Sequence, residues 1–290
     1  MGAIDRINPV AAAVYFLAAA GIAMFSMNPV ILSLSLSGAV CFFFIKSRST
    51  GIKSHLYSLL LFIVMALINP FVNHNGVTVL FIMNDNPITL EALIYGIAAS
   101  AMIISVLYWF RSFTEIMTSD KLLYIFGRLS PKLALILSMA LRFVPMFGNQ
   151  LYKTEQAQKA AGLYKEDNIA DTFKGKTDIF SIIITWGLEN GIITADSMTA
   201  RGYGCARRTS FSLFRWRKGD FIFLAITAAL FAASLWGTMA ADFAYYPAIA
   251  FSEADYRTVT GFTSYGLLVF LPSIFEIKEA LRWKYLKSKI

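Results

Sequence analysis

Two short stretches of this chain set small residues and a glycine beside a cation: Ala160-Ala161-Gly162, preceded by Lys159, and Ala200-Arg201-Gly202. An arginine fork pairs bidentately with a carboxylate, and a cation near a helix C-terminus is favoured by the helix dipole. The chemistry on offer is therefore ionic docking. Other chemistries lack their residues. His55, His74, Cys41 and Cys205 have no metal-ligand spacing, and His74 between Asn73 and Asn75 reads as a polar loop residue. There is no G-x-S-x-G element and no P-loop, so no catalytic residue, metal site or ATP-hydrolysing motif is expected in this chain.

Both tripeptides need helices to carry them. Ser130-Pro131 is a helix start, with serine as cap and proline at the first helical position. Helical periodicity continues to about Ala161, Pro145 should kink it, and Gly162 sits where a C-terminal glycine belongs. A second helix is predicted from Asp178 to about Arg201, stopping at Gly202. Two readings stand side by side: interfacial helices with glycine caps, or helices whose ends dock on a cytoplasmic partner. Sequence physics by itself favours the first.

The rest of the chain points to a bilayer. Of its 290 residues 57% are hydrophobic and 15% charged, with a mean hydropathy of +0.59. A soluble protein carries about 25% charged residues. The net charge of +8 is read as topology rather than as a nucleic-acid footprint, because no recognition module accompanies it. Cys41 lies in an apolar run and Cys205 in a basic loop, which argues against a disulfide. Arg6 is the only early cation and the apolar stretch after it is long, so no cleavable signal is expected.

Six spans are predicted: Pro9–Phe25, Val30–Ile45, Leu56–Val72, Leu90–Phe110, Phe221–Ala241 and Thr258–Phe275. Between the fourth and fifth, residues 111–218 hold 16 Lys and Arg against 9 Asp and Glu, and their apolar runs (Leu133–Leu141, Ile179–Leu188) are too short to cross. Loop 46–55 and the tail are basic, whereas the 26–29 turn and loop 73–88 have no Lys or Arg, and loop 242–257 has only Arg257. The positive-inside rule then places both termini and residues 111–218 in the cytoplasm. The expected fold class is all-α: a polytopic helical membrane protein of about six spans plus cytoplasmic coupling helices. Its parts are residues 1–110, the segment 111–218, and residues 219–290 with a basic tail.

In this order the motifs resemble those of the transmembrane T component of energy-coupling factor transporters, the CbiQ-like family. Ala140-Leu141-Arg142-Phe143-Val144-Pro145 is similar to its "lRfiP" element. Ala157-Gln158-Lys159-Ala160-Ala161-Gly162 resembles its "AQ-x-ARG" element, and Ser197-Met198-Thr199-Ala200-Arg201-Gly202-Tyr203 its "AM-x-ARGY" element. Asn69-Pro70-Phe71 and Gly76-Val77-Thr78 add to the likeness.

The resemblance implies a coupling subunit of an importer for a vitamin or a transition-metal ion, in the cell membrane of a prokaryote. Its partners would be two ABC ATPases, one substrate-binding membrane protein and membrane lipid. The ATPases would bind ATP-Mg, and this chain would bind no cofactor and no nucleic acid. Ala200, Arg201 and Gly202 would dock on one ATPase, Arg201 pairing with an acidic residue while its small neighbours let the backbones approach. Ala160, Ala161 and Gly162 would dock on the other. Here the chain departs from the pattern, since Ala161 stands where the family has arginine. Either Lys159 supplies a poorer cation or the contact is steric, so the two docking contacts should be unequal.

ATP-driven closure would scissor the coupling helices, whose apolar faces (Leu133, Leu135, Ile136, Met139; Ile182, Ile183, Trp186) would move the substrate-binding partner. Arg142 and Pro145 would serve as a hinge or as plain packing. The alternative is a stand-alone secondary transporter or permease, which calls for ionisable residues at mid-membrane. The six spans offer essentially only Glu91, near an end.

Overall fold

The computed structural model describes residues 4–46, 52–83, 86–162, 169–205, 214–241, 243–247, 250–251 and 255–287. These are almost entirely helical: α1 (Pro9–Phe25), α2 (Pro29–Lys46), α3 (Ile52–Val72), α4 (Leu90–Ile116), α5 (Ser119–Leu129), α6 (Pro131–Ala160), α7 (Ile169–Ala200), α8 (Lys218–Thr238) and α9 (Tyr256–Lys287). Two short antiparallel ladders punctuate them, β1 (Val79–Met83) with β2 (Asn86–Thr89) and β3 (Phe243–Ala244) with β4 (Ala250–Phe251). The chain forms two compact units, residues 1–121 with 214–290, and residues 122–213. Loop residues 47–51 and the linker 163–168, both parts of the sequence reading, lie outside the described residues.

The chain is a polytopic helical membrane protein. By length and composition, six described helices can cross a membrane: α2, the His55–Val72 part of α3, α4, α6, α8 and α9. This differs from expectation twice. At 17 residues α1 is the shorter apolar helix, and α6 joins the set although its segment was expected to lack a spanning run. Lys132 and Arg142 break the runs of α6 without lowering its average below that of a span. Other boundaries moved as well. α7 starts at Ile169 rather than Asp178, because the polar Asp171 suits a first helical turn. α9 continues to Lys287, its basic residues favouring the C-terminal dipole. The loop 73–88 contains the β1–β2 hairpin.

The same device starts α1 and α2. In Asn8-Pro9 and Asn28-Pro29, each asparagine Oδ1 accepts the N–H two residues on, at 3.1 and 3.0 Å, with proline leading the helix. The core of the larger unit is aromatic. Trp109 of α4 packs among Tyr15, Phe16 and Phe42, with ring centroids 6.0–6.4 Å away. Polar groups in a membrane interior must find partners within the protein. Trp109 Nε1 accordingly donates to Ser35 Oγ at 3.1 Å, Tyr15 OH to the Leu268 carbonyl at 3.1 Å, and Tyr265 OH to the Ala19 carbonyl at 3.2 Å. α8 and α9 approach backbone to backbone, because neither Gly237 nor Gly261 has a side chain to hold them apart.

The polar contacts sort the helix ends of this unit. Lys46 at the end of α2, Asp220 at the start of α8, and Glu276 and Glu279 of α9 are all bonded to residues 4–8. At the other end, Tyr245 donates to the Met27 carbonyl at 2.6 Å and packs edge-on to Tyr95, near the start of α4. The 26–29 turn, the start of α4 and the 243–247 segment therefore share one end. Residues 4–8, the end of α2, the start of α8 and the Glu276–Glu279 part of α9 share the opposite one. Glu91, the acidic residue near a span end, is buried and occupied: it accepts the Thr78 N–H at 3.2 Å and also the Thr78 hydroxyl, pinning the loop before β1.

Candidate functional site

The unit of residues 122–213 is built on α6 and α7. Phe147 of α6 meets Trp186 of α7 edge-on at 5.7 Å and packs on Ile179 and Ile183. Gly187 leaves the room that the Phe147 ring needs: a Cβ there would lie 2.7 Å from the ring. This corrects part of the expected partner face. Ile183 is buried and Trp186 partly buried between the two helices, whereas Leu133, Ile136 and Ile182 are exposed. Ser130 precedes α6 as expected and Pro131 occupies its first turn, but the Ser130 side chain makes no capping bond. Pro145 lies within a continuous α6, exposed like Arg142.

Both tripeptides fall at helix ends, and they end their helices alike. Ala161 follows α6, with its N–H on the Ala157 carbonyl at 2.9 Å; Gly162 then turns at φ +69° and donates to the Lys159 carbonyl at 3.1 Å. Arg201 follows α7 in the equivalent place. Gly202 turns at φ +79° and donates to Thr199 O at 2.9 Å, and Tyr203 closes the motif on Met198 O at 3.0 Å. This is a Schellman ending, whose left-handed residue is usually glycine. Gly204 adds another left-handed residue, φ +92°, that the sequence reading did not single out. Among the described residues, nothing stands within 4 Å of where a Cβ on Gly162, Gly202 or Gly204 would project.

Ala160, Ala161, Gly162, Ala200, Arg201 and Gly202 are all exposed. Their cations differ. Lys159 Nζ sits 3.1 Å from Glu155 Oε1, one turn back on the same helix. Arg201 is exposed, and its guanidinium makes no hydrogen bond or ion pair to another described residue. The i, i+4 spacing of Glu155 and Lys159 makes this pair legible in the sequence.

Comparison with known proteins agrees with the sequence resemblance. The family described as "CbiQ: Cobalt transport protein" matches residues 3–213, a stretch that includes α1 through α7 and both tripeptides. "Energy-coupling factor transporter transmembrane protein EcfT 1" of Listeria monocytogenes serotype 1/2a (strain 08-5578) is 36% identical over 92 residues, 31% of this chain and 35% of its own. The EcfT protein of Lactobacillus helveticus (strain DPC 4571) is 34% identical over 96 residues, 32% and 35% of the two chains. That of Listeria innocua serovar 6a (strain ATCC BAA-680 / CLIP 11262) is 34% identical over 107 residues, 36% and 40%. The chain thus spans about 35–40% of the length of these relatives. With the family match covering most of its length and all of the candidate site, the chain belongs to the CbiQ family.

Proposed function

We propose that this chain is the transmembrane coupling subunit of an energy-coupling factor importer, carrying ATP-driven motion from two cytoplasmic ATPases to a separate substrate-binding membrane protein. One observation carries the reading: α6 and α7 end in the same glycine turn, each exposed and open on its outer side. A matched pair of protruding helix ends suits a pair of related partner grooves. Arg201 would reach a carboxylate in one groove. The other end would seat Ala160, Ala161 and Gly162 by shape, with Lys159 held by Glu155. The names of the EcfT relatives support the same assignment.

In this reading residues 111–218 form the coupling segment, and the basic end of the larger unit, with both termini, faces the cytoplasm as the positive-inside rule requires. The imported solute, a vitamin or a transition-metal ion, is chosen by the membrane partner. ATP-Mg belongs to the ATPases. Affinity purification of the full chain from its host in mild detergent tests this. Two cassette ATPases and a small membrane protein should come with it; recovery of no ATPase under several conditions overturns the reading.

A further inference from the structure

The chain leaves the larger unit at Lys121 and returns to it at Phe214. Both crossings adjoin one short segment, Ile4–Asn8: Ile4 and Ile116, the last residue of α4, are buried in one apolar cluster, and the Asn8 N–H meets Asp220. On the outgoing side Lys121 is 6% exposed, and its ammonium donates to the Ile116 carbonyl at 3.0 Å. Burial pushes its pKa down, the Asp5 carboxylate pushes it up, and the Lys46 ammonium opposes Asp5. On the return side Asp220 is 5% exposed and takes the Arg217 N–H at 2.9 Å and the Asn8 N–H at 3.2 Å. The same segment is fastened behind. Asp5 Oδ2 lies 2.6 Å from Lys46 Nζ, the Ile4 N–H donates to Glu276 Oε1 at 3.3 Å, and Arg6 pairs with Glu279 at 3.2 Å.

The docking site uses none of these groups. Their burial demands an explanation, since apolar side chains of equal volume would fill the space at no electrostatic cost. What apolar packing would lack is direction: paired charges specify which strand lies against which.

We propose that Ile4–Asn8 is a strap that locks the outgoing and returning strands of the coupling segment to each other and to α9, with Asp5, Lys121 and Asp220 as its positioning residues. This rests on the coupling reading for its purpose, though not for its geometry. Helices that transmit force need a fixed abutment. Without one, the motion of α6 and α7 is absorbed where their flanking strands enter the membrane unit. The strap makes the two entry points one rigid body.

Hydrogen exchange on the purified full chain in detergent tests the strap without any partner. Asp5→Asn removes the charge that faces Lys46 and Lys121, and it touches neither Asp220 nor Arg217. Exchange should nevertheless rise about tenfold at residues 117–121 and also at 214–220, while amides around Tyr15 and Leu268 keep their protection. Asp5→Glu should restore both crossings. Lys121→Met, which keeps the stem and removes the charge, reads the same coupling from the other side should Asp5→Asn fail to fold. A rise confined to 117–121, or no rise at either crossing, overturns the proposal. Co-purification of ATPases with the wild-type chain decides the coupling reading separately, so either idea can fail alone.

Discussion

Lys159 is paired one turn back along its own helix with Glu155, whereas Arg201, at the equivalent helix end, is exposed and pairs with no acid among the described residues. The two helix ends share a backbone shape and differ in their cations. Arg201→Glu should therefore lower ATPase retention at least tenfold, since truncating one side of a desolvated charge pair costs about 2–5 kcal/mol. Lys159→Glu should cost far less, because an exposed i, i+4 pair contributes only about 0.3–0.5 kcal/mol. Pull-down of each variant from the host membrane checks this; equal losses would show the ends to be electrically equivalent.

The turn itself can be tested apart from the charge. A side chain at Gly202 meets no described residue within 4 Å, so the penalty of Gly202→Ala within the chain is backbone strain at φ +79°, roughly 1–2 kcal/mol. Asparagine tolerates this region better, so Gly202→Asn should recover part of the loss in both ATPase retention and thermal midpoint. Alanine and asparagine behaving alike would mean that absence of a side chain, not φ, is what the partner reads.

In the larger unit, a Cβ on Gly261 would stand 2.7 Å from the Cα of Gly237, with backbone rather than side chain in its way. Gly261→Ala should cost about 1–3 kcal/mol by forcing α8 and α9 apart. Thermal unfolding in detergent micelles would show the drop, and Gly266→Ala, where only the Leu34 side chain is near, should show little.

Trp109→Phe keeps most of the core ring and removes the donor to Ser35. Ser35 keeps its hydrogen bond to Tyr265 and loses only this donor, so the bundle should lose about 0.5–1.5 kcal/mol. Ser35→Ala should then cost less in the Trp109→Phe background than in the wild-type chain, a coupling that a double-mutant cycle measures.

The spans were legible where apolar runs are long and their flanks polar, as at Ile31–Phe44 of α2 or across α8. Legibility failed where local composition does not decide. Residues 169–177 mix polar and apolar types, so the first turns of α7 gave no periodic signal. Lys132 and Arg142 cut the uninterrupted apolar runs of α6, while its mean over a whole helix still reaches that of a span. The tripeptides were placed correctly at helix ends because glycine after a periodic stretch is a local signal. What they would meet within the chain was not local. The engagement of Ile183 with Phe147, like the meeting of Gly237 with Gly261, depends on how two helices cross.

The bonds between α1 and α9 set an order on biogenesis. The Tyr15 hydroxyl enters the bilayer with the first helix, yet its acceptor at Leu268 lies 253 residues later in the chain. α1 can pack on α4 as soon as α4 is made, but its tyrosine hydroxyl must wait for α9. A nascent chain cut short before α9 therefore carries an unsatisfied polar group in its first helix.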